Sequence, residues 1–110
     1  MTSVRLACVF AFALIPLSAQ AQSFNCRRAG TPDEVAICRN SGLSALDERM
    51  AGMYNRLRAR LHGHGREALI DDQSAWLQSR HGCGSDAGCI EDAYRRRIRE
   101  LSAYCGRAAA

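Results

Sequence analysis

The sequence predicts an all-α domain, a small antiparallel three-helix bundle with a short N-terminal helix, stapled by disulfides. Three observations carry that reading: apolar residues recur at steps of three and four, no segment sustains period-two alternation, and the links between the long helical segments are short. The chain has 110 residues, six of them cysteine. Its 15 basic residues are all arginine and face 11 acids, with 24% charged and 47% apolar residues overall. Such a composition describes a folded domain and excludes a disordered tail or a polybasic arm.

The first residues read as an export leader. Arg5 precedes the apolar run Leu6–Leu17, and Ala19-Gln20-Ala21 places small residues where signal peptidase cuts. The expected organisation is a leader over residues 1–21 and one domain over 22–110. The apolar run is about 12 residues, whereas a spanning helix needs about 20, so the mature form is not expected to span a membrane. Leu6-Ala7-Cys8 stands at the start of that run and not after it, so it does not read as a lipid-attachment box. Loss of Arg5 takes the formal charge from +4 to +3. The destination is the periplasm or the medium, where disulfides persist.

Each helix is legible from its caps and its period. Thr31-Pro32-Asp33-Glu34 is a capping box with proline at the first helical position, opening a short helix through Val35, Ile37 and Cys38 that stops near Asn40–Gly42. From about Leu43 to Leu61, the residues Leu43, Leu46, Met50, Met53, Tyr54, Leu57 and Leu61 form one stripe, ended by His62-Gly63-His64-Gly65. Ala68, Leu69, Gln73, Trp76, Leu77 and Arg80 repeat the spacing until Gly82 and Gly84. Asp86 offers a cap for the last helix, about Ala87–Tyr104, with Ile90, Tyr94, Ile98 and Leu101 on one face.

This arrangement narrows the disulfides. After the leader is removed, Cys26, Cys38, Cys83, Cys89 and Cys105 remain, an odd number. Cys83 and Cys89 flank the second turn and can staple one helix end to the next start. Cys26 can fold back on Cys38, because about five extended residues span the roughly 10 Å of the short helix. Sixteen helical residues beyond Cys89 place Cys105 roughly 24 Å away, past the ~7 Å limit for a bridge, so it is free or joins two chains as a homodimer.

Phe24-x-Cys26, Glu34-x-x-Ile37-Cys38, Leu43-x-x-Leu46-Asp47, Tyr54, Gln73-x-x-Trp76-Leu77-x-x-Arg80-x-x-Cys83, and Cys89 followed by Tyr94-x-x-Arg97-Ile98-x-x-Leu101 together resemble the N-terminal domain of the LprI-type lysozyme-inhibitor family. The resemblance covers nearly all of residues 22–110. It implies an exported helical protein whose partner is another protein, a lysozyme, bound and blocked without chemistry of its own. It also marks Asp47, Tyr54, Gln73, Trp76, Arg80, Tyr94 and Arg97 as structural positions. Cys105 falls outside the family pattern.

The remaining motifs have plain readings. Trp76 reads as the core's largest apolar group, with recognition as the alternative, and Arg80 with Asp47 as a partly buried pair that fixes how two helices meet. Arg95, Arg96, Arg97 and Arg99 form no nucleic-acid site, because Glu91, Asp92 and Glu100 stand four residues from Arg95 and Arg96 and offset the field. His62, His64 and His81 with Cys83 do not converge in a bundle, so no metal or other cofactor is implied. No nucleophile stands beside a histidine and a carboxylate, and the chain does not read as an enzyme.

Glu67, Asp71 and Asp72, near the protruding His62–Gly65 turn, are the candidate contact for a cationic enzyme's cleft. A second class of function is a structural or envelope-binding module for an anionic cell-wall or lipid component held by arginines.

Overall fold

The computed structural model describes residues 23–108, with side chains through residue 104. The leader expected over 1–21 and the Cys105 side chain lie outside the described residues. A single 3-10 turn, Cys26–Arg28, precedes four helices: α1 (Pro32–Arg39), α2 (Ser41–Arg60), α3 (Gly63–His81) and α4 (Ala87–Ala108). The described residues contain no strand. The all-α bundle with a short first helix is as expected.

Local chemistry sets the boundaries. Thr31 caps α1, its Oγ1 accepting from the Glu34 amide at 3.4 Å and donating to the Glu34 carboxylate at 2.8 Å, so the box closes through side chains. Asn40 alone separates α1 from α2, and its side chain accepts from the Leu43 amide at 3.1 Å. The Asp86 carboxylate accepts from the Cys89 amide at 3.0 Å, as its position predicts.

The α2–α3 joint differs from the expected four-residue turn. Only Leu61 and His62 lie outside helix, because Gly63 takes φ +55°, a left-handed value that glycine adopts without strain, and α3 begins there. His64 and Gly65 are thus in the first turn of α3 and do not form a protruding loop.

α2 and α4 run parallel and make the most extensive pairing, with α3 antiparallel along α4 and α1 laid across the other three at one end. The core comprises Ile37, Leu43, Met50, Met53, Leu57, Leu69, Trp76, Ile90, Tyr94, Ile98 and Leu101. Leu46, Tyr54, Leu61 and Leu77, expected in the stripes, pack against this core while only partly buried. Ala68 is exposed. The buried line of α3 is Leu69, Gln73, Trp76 and Arg80, half of it polar.

Both bridges form as expected, Cys26–Cys38 and Cys83–Cys89, with Cα separations of 5.8 and 5.5 Å. They pin the same end of the bundle, where α1, the start of α2 and the α3–α4 turn meet. The opposite end is held by Leu57, Leu61, Leu69 and Leu101.

The two bridges close loops of different length, 12 and 6 residues in sequence separation, which sets their order of importance. Chain-entropy arithmetic gives about 3 kcal/mol for the longer and about 2 kcal/mol for the shorter. Denaturant titration of the paired serine variants is expected to show Cys26→Ser/Cys38→Ser losing more stability than Cys83→Ser/Cys89→Ser. The reverse order would mean that the α3–α4 turn relies on its bridge for more than chain entropy.

Candidate functional site

Four helices each send one polar side chain into the stapled end, although charge burial is costly. Asp33 and Asp47 are fully buried and Arg80 is 2% exposed. Arg80, on the last turn of α3, donates from Nε to Asp33 Oδ2 on α1 at 2.8 Å and from Nη1 to the Tyr94 hydroxyl on α4 at 3.3 Å. The Tyr94 hydroxyl in turn donates to Asp47 Oδ1 on α2 at 2.8 Å. His81 Nδ1 donates to Asp33 Oδ2 at 2.9 Å from a partly exposed position.

The residues before α1 close this cluster. Ser23 donates to Asp47 through its amide and through its hydroxyl, both at 2.7 Å. The Phe24 ring lies over the Arg80 guanidinium, 5.4 Å from carbon to centroid, and Trp76 faces it at 5.7 Å. Trp76 donates its indole N–H to the Ala93 carbonyl at 3.0 Å. It is core, with its polar edge satisfied.

The protonation states follow. Burial works to raise the Asp33 pKa, but hydrogen bonds from Thr31, His81 and Arg80, with the Arg80 charge, outweigh it and hold the carboxyl well below the usual range. Burial, with the nearby Asp47 charge, pushes Tyr94 far above an ordinary phenol, so its hydroxyl stays a donor. For Arg80, burial opposes the charge, yet Tyr94 and Asp33 prevail and raise its pKa. These groups bond to one another, with Asp33 Oδ1 left as a buried oxygen without a partner, and what the cluster can do is fix helix docking.

The pair expected between Arg80 and Asp47 forms at 4.0 Å but is not the shortest contact of Arg80. It is wholly buried, and the direct partner of Arg80 is Asp33, with Asp47 Oδ1 4.0 Å from Nη1 and linked through Tyr94. Asp33 reads in sequence as a helix-start acid, yet it stands four residues before Ile37 and so on the same inward face. That register is the signal that locates it. Arg97 also leaves the expected solvated arginine face. It is 2% exposed, donating from Nε to Gln73 Oε1 at 2.9 Å and from Nη1 to Glu100 at 3.0 Å, while Gln73 Nε2 contacts Met50 Sδ at 3.2 Å.

The other expected positions lie on the surface. Glu91 pairs with Arg95 at 2.9 Å and Glu100 with Arg96 at 3.8 Å, both as predicted, whereas Arg96 makes no ion pair with Asp92 and reaches Ser79 at 3.3 Å instead. On α3, His64, Glu67 and Asp71 are exposed and share one stripe with Ser74 and Gln78, at steps of three and four. His64 Nδ1 lies 3.4 Å from Glu67, and Asp72 accepts from the Tyr104 hydroxyl. His62, exposed, occupies the N-cap position of α3 without a side-chain cap bond. Between Arg66 and Arg80 the chain carries Glu67, Asp71 and Asp72 and no basic residue, so the outer face of α3 is acidic. Among the described residues no cluster of His, Cys, Asp or Glu has the makings of a metal site, and no helix is long and apolar enough to cross a membrane.

The depressed carboxyl ties stability to pH. The stabilisation from Asp33 is fully present above the unfolded carboxyl value, about pH 4, and is lost as pH falls toward the folded one. Asp33→Asn is expected to cost about 3–5 kcal/mol at neutral pH, since it breaks a buried pair and strands Arg80. It should also flatten the decline of stability below about pH 4. Denaturant midpoints from pH 7 to pH 2 measure both, and an unchanged acid slope in the variant would show that other carboxylates govern it.

Among curated proteins, the chain is similar to the "Lipoprotein LprI" of Mycobacterium bovis (strain ATCC BAA-935 / AF2122/97) and of Mycobacterium tuberculosis (strains CDC 1551 / Oshkosh and ATCC 25618 / H37Rv). Identity to each is 29% over 85 residues, covering 74% of this chain and 41% of the relative, so the chain spans about two fifths of the length of the curated relatives it matches. No solved structure matches it significantly. Residues 26–101, which hold both disulfides, all four members of the buried cluster and the acidic α3 face, match the family model described as "Lysozyme inhibitor LprI", and the chain belongs to that family.

Proposed function

We propose that this is an exported helical binding protein that inhibits a lysozyme by steric occlusion, presenting the outer face of α3 to the enzyme. Family membership supports the activity class, and the lipoprotein name of the relatives supports export. The observation that carries the surface assignment is charge segregation. The domain is basic overall, yet the exposed stripe of His64, Glu67 and Asp71, with His62 at its head and Asp72 beside it, has an acidic character that a cationic enzyme would meet favourably. Two bridges and a buried polar cluster hold the helices that carry this face, so little ordering entropy is lost on docking.

Cell-wall clearance followed by turbidity tests the reading. Mature protein added in increasing amounts is expected to slow a lysozyme until a stoichiometric end point. Glu67→Arg/Asp71→Arg should weaken inhibition about tenfold, mainly through slower association that salt mimics. Unaltered clearance at excess protein, with no complex on a sizing column, removes the inhibitor reading. Full inhibition by the double variant moves the contact to another face.

A further inference from the structure

A second surface lies on the flank of α3, between it and α4. There the two helices border an open groove of about 400 Å³, with Asp72 and Ser79 on one side and Arg96, Glu100 and Tyr104 on the other. Its volume falls within the roughly 300–1,000 Å³ of small-molecule sites.

Charge accounting limits what the groove can select. The guanidinium groups of Arg96 and Arg97 are matched by the carboxylates of Asp72 and Glu100, so the formal charges cancel and neither an anion nor a cation is favoured. The groove offers hydrogen-bond donors and acceptors side by side. Glu100 receives Arg97 at 3.0 Å and faces Arg96 at 3.8 Å, and Arg96 reaches Ser79 at 3.3 Å. A ligand suited to such a surface both donates and accepts at closely spaced points, as hydroxyl groups do.

Two further features point to an oxygen-rich ligand. Arg97 lines the groove while only 2% exposed, and its Nη2 is a buried donor group without an acceptor among the described residues. An unsatisfied buried donor costs about 1–3 kcal/mol, so an oxygen brought to it by a ligand would gain more than one bound at a hydrated surface. At one end the partly buried Tyr104 ring supplies an apolar surface for the C–H face of a sugar ring.

We infer that the α3–α4 groove is a binding site for a neutral glycan strand. This does not depend on lysozyme inhibition, because Arg96, Arg97 and Glu100, which carry it, belong to α4 and not to the acidic stripe of α3, and Asp72 alone borders both. The site is open and hydrated, so affinity is modest and specificity comes from hydroxyl geometry.

Trp76 is the sole tryptophan and borders the groove, which makes its fluorescence a direct reporter. Mature protein is titrated with triacetylchitotriose and with maltotriose, to separate acetamido glycans from plain glucans, and with an acidic trimer, trigalacturonate. The expected result is a saturable shift with at least one neutral trimer, half-complete at about 1 mM or below. Glu100→Gln and Arg96→Met alter side chains that are about half exposed, 46% and 51%, so both variants should fold. Each is expected to weaken the response at least about tenfold with an unchanged circular dichroism spectrum. No saturable shift from either neutral trimer up to about 10 mM, a shift with trigalacturonate alone, or full retention by both variants overturns the proposal.

Discussion

The fold depends on a guanidinium that cannot reach water. Arg80 closes α3 inside the stapled end, and everything packed there answers its charge: Asp33 from α1 directly, Asp47 from α2 by way of the Tyr94 hydroxyl on α4, and the rings of Phe24 and Trp76 on its faces. A leucine core tolerates small slides of one helix along another, because dispersion contacts have no preferred partner. A charged fork at 2.8 Å does not. Displacing any of the four helices would leave a buried charge or hydroxyl unpaired, so the cluster selects one docking geometry even where its net contribution to stability is small.

The two sulfur bridges strengthen that same end and not the other. Cys26–Cys38 ties the segment carrying Ser23 and Phe24 to α1, so it keeps the lid over Asp47 and Arg80 in place. Cys83–Cys89 fixes the turn that delivers Arg80 and Tyr94 from successive helices. At the far end the two-residue joint and an aliphatic cluster take over, with Leu69 and Leu101 fully buried. The bundle therefore has a covalently and electrostatically locked end and an end secured by packing alone, and the acidic stripe of α3 starts at the latter.

How much of this was legible in the sequence depended on whether the governing interaction was local. Caps at Thr31 and Asp86 act within three residues, and the period of α2 and α4 reports burial directly, so those elements read correctly. The start of α3 did not, because His62-Gly63-His64-Gly65 looks like a breaker and only the backbone shows that a single left-handed glycine suffices for the reversal. The spacing of charges groups Arg97 with its exposed neighbours, and only the family resemblance sets it apart, because a run of arginines hides which one lies on the Ile90–Tyr94–Leu101 face. Asp33 was hidden for a similar reason: an acid in a first turn already has a local explanation, and nothing nearby in sequence shows that Arg80, 47 residues away, needs it.

Burial and pairing also change what the arginine content means for association. Arg80 and Arg97 are neutralised inside the fold, and Arg95 and Arg96 share their surface with Glu91 and Glu100. The residual positive field comes from exposed arginines outside α3, such as Arg39, Arg58 and Arg99. A macromolecule approaching from solution senses the field within about 8 Å at physiological salt, so what matters is the local sign at the contacting face and not the sum over the molecule. The exposed α3 stripe satisfies that local condition. A basic protein can then meet a basic partner, provided it docks through α3, whose outer face carries acids and whose arginines stand near its ends, one exposed and one buried.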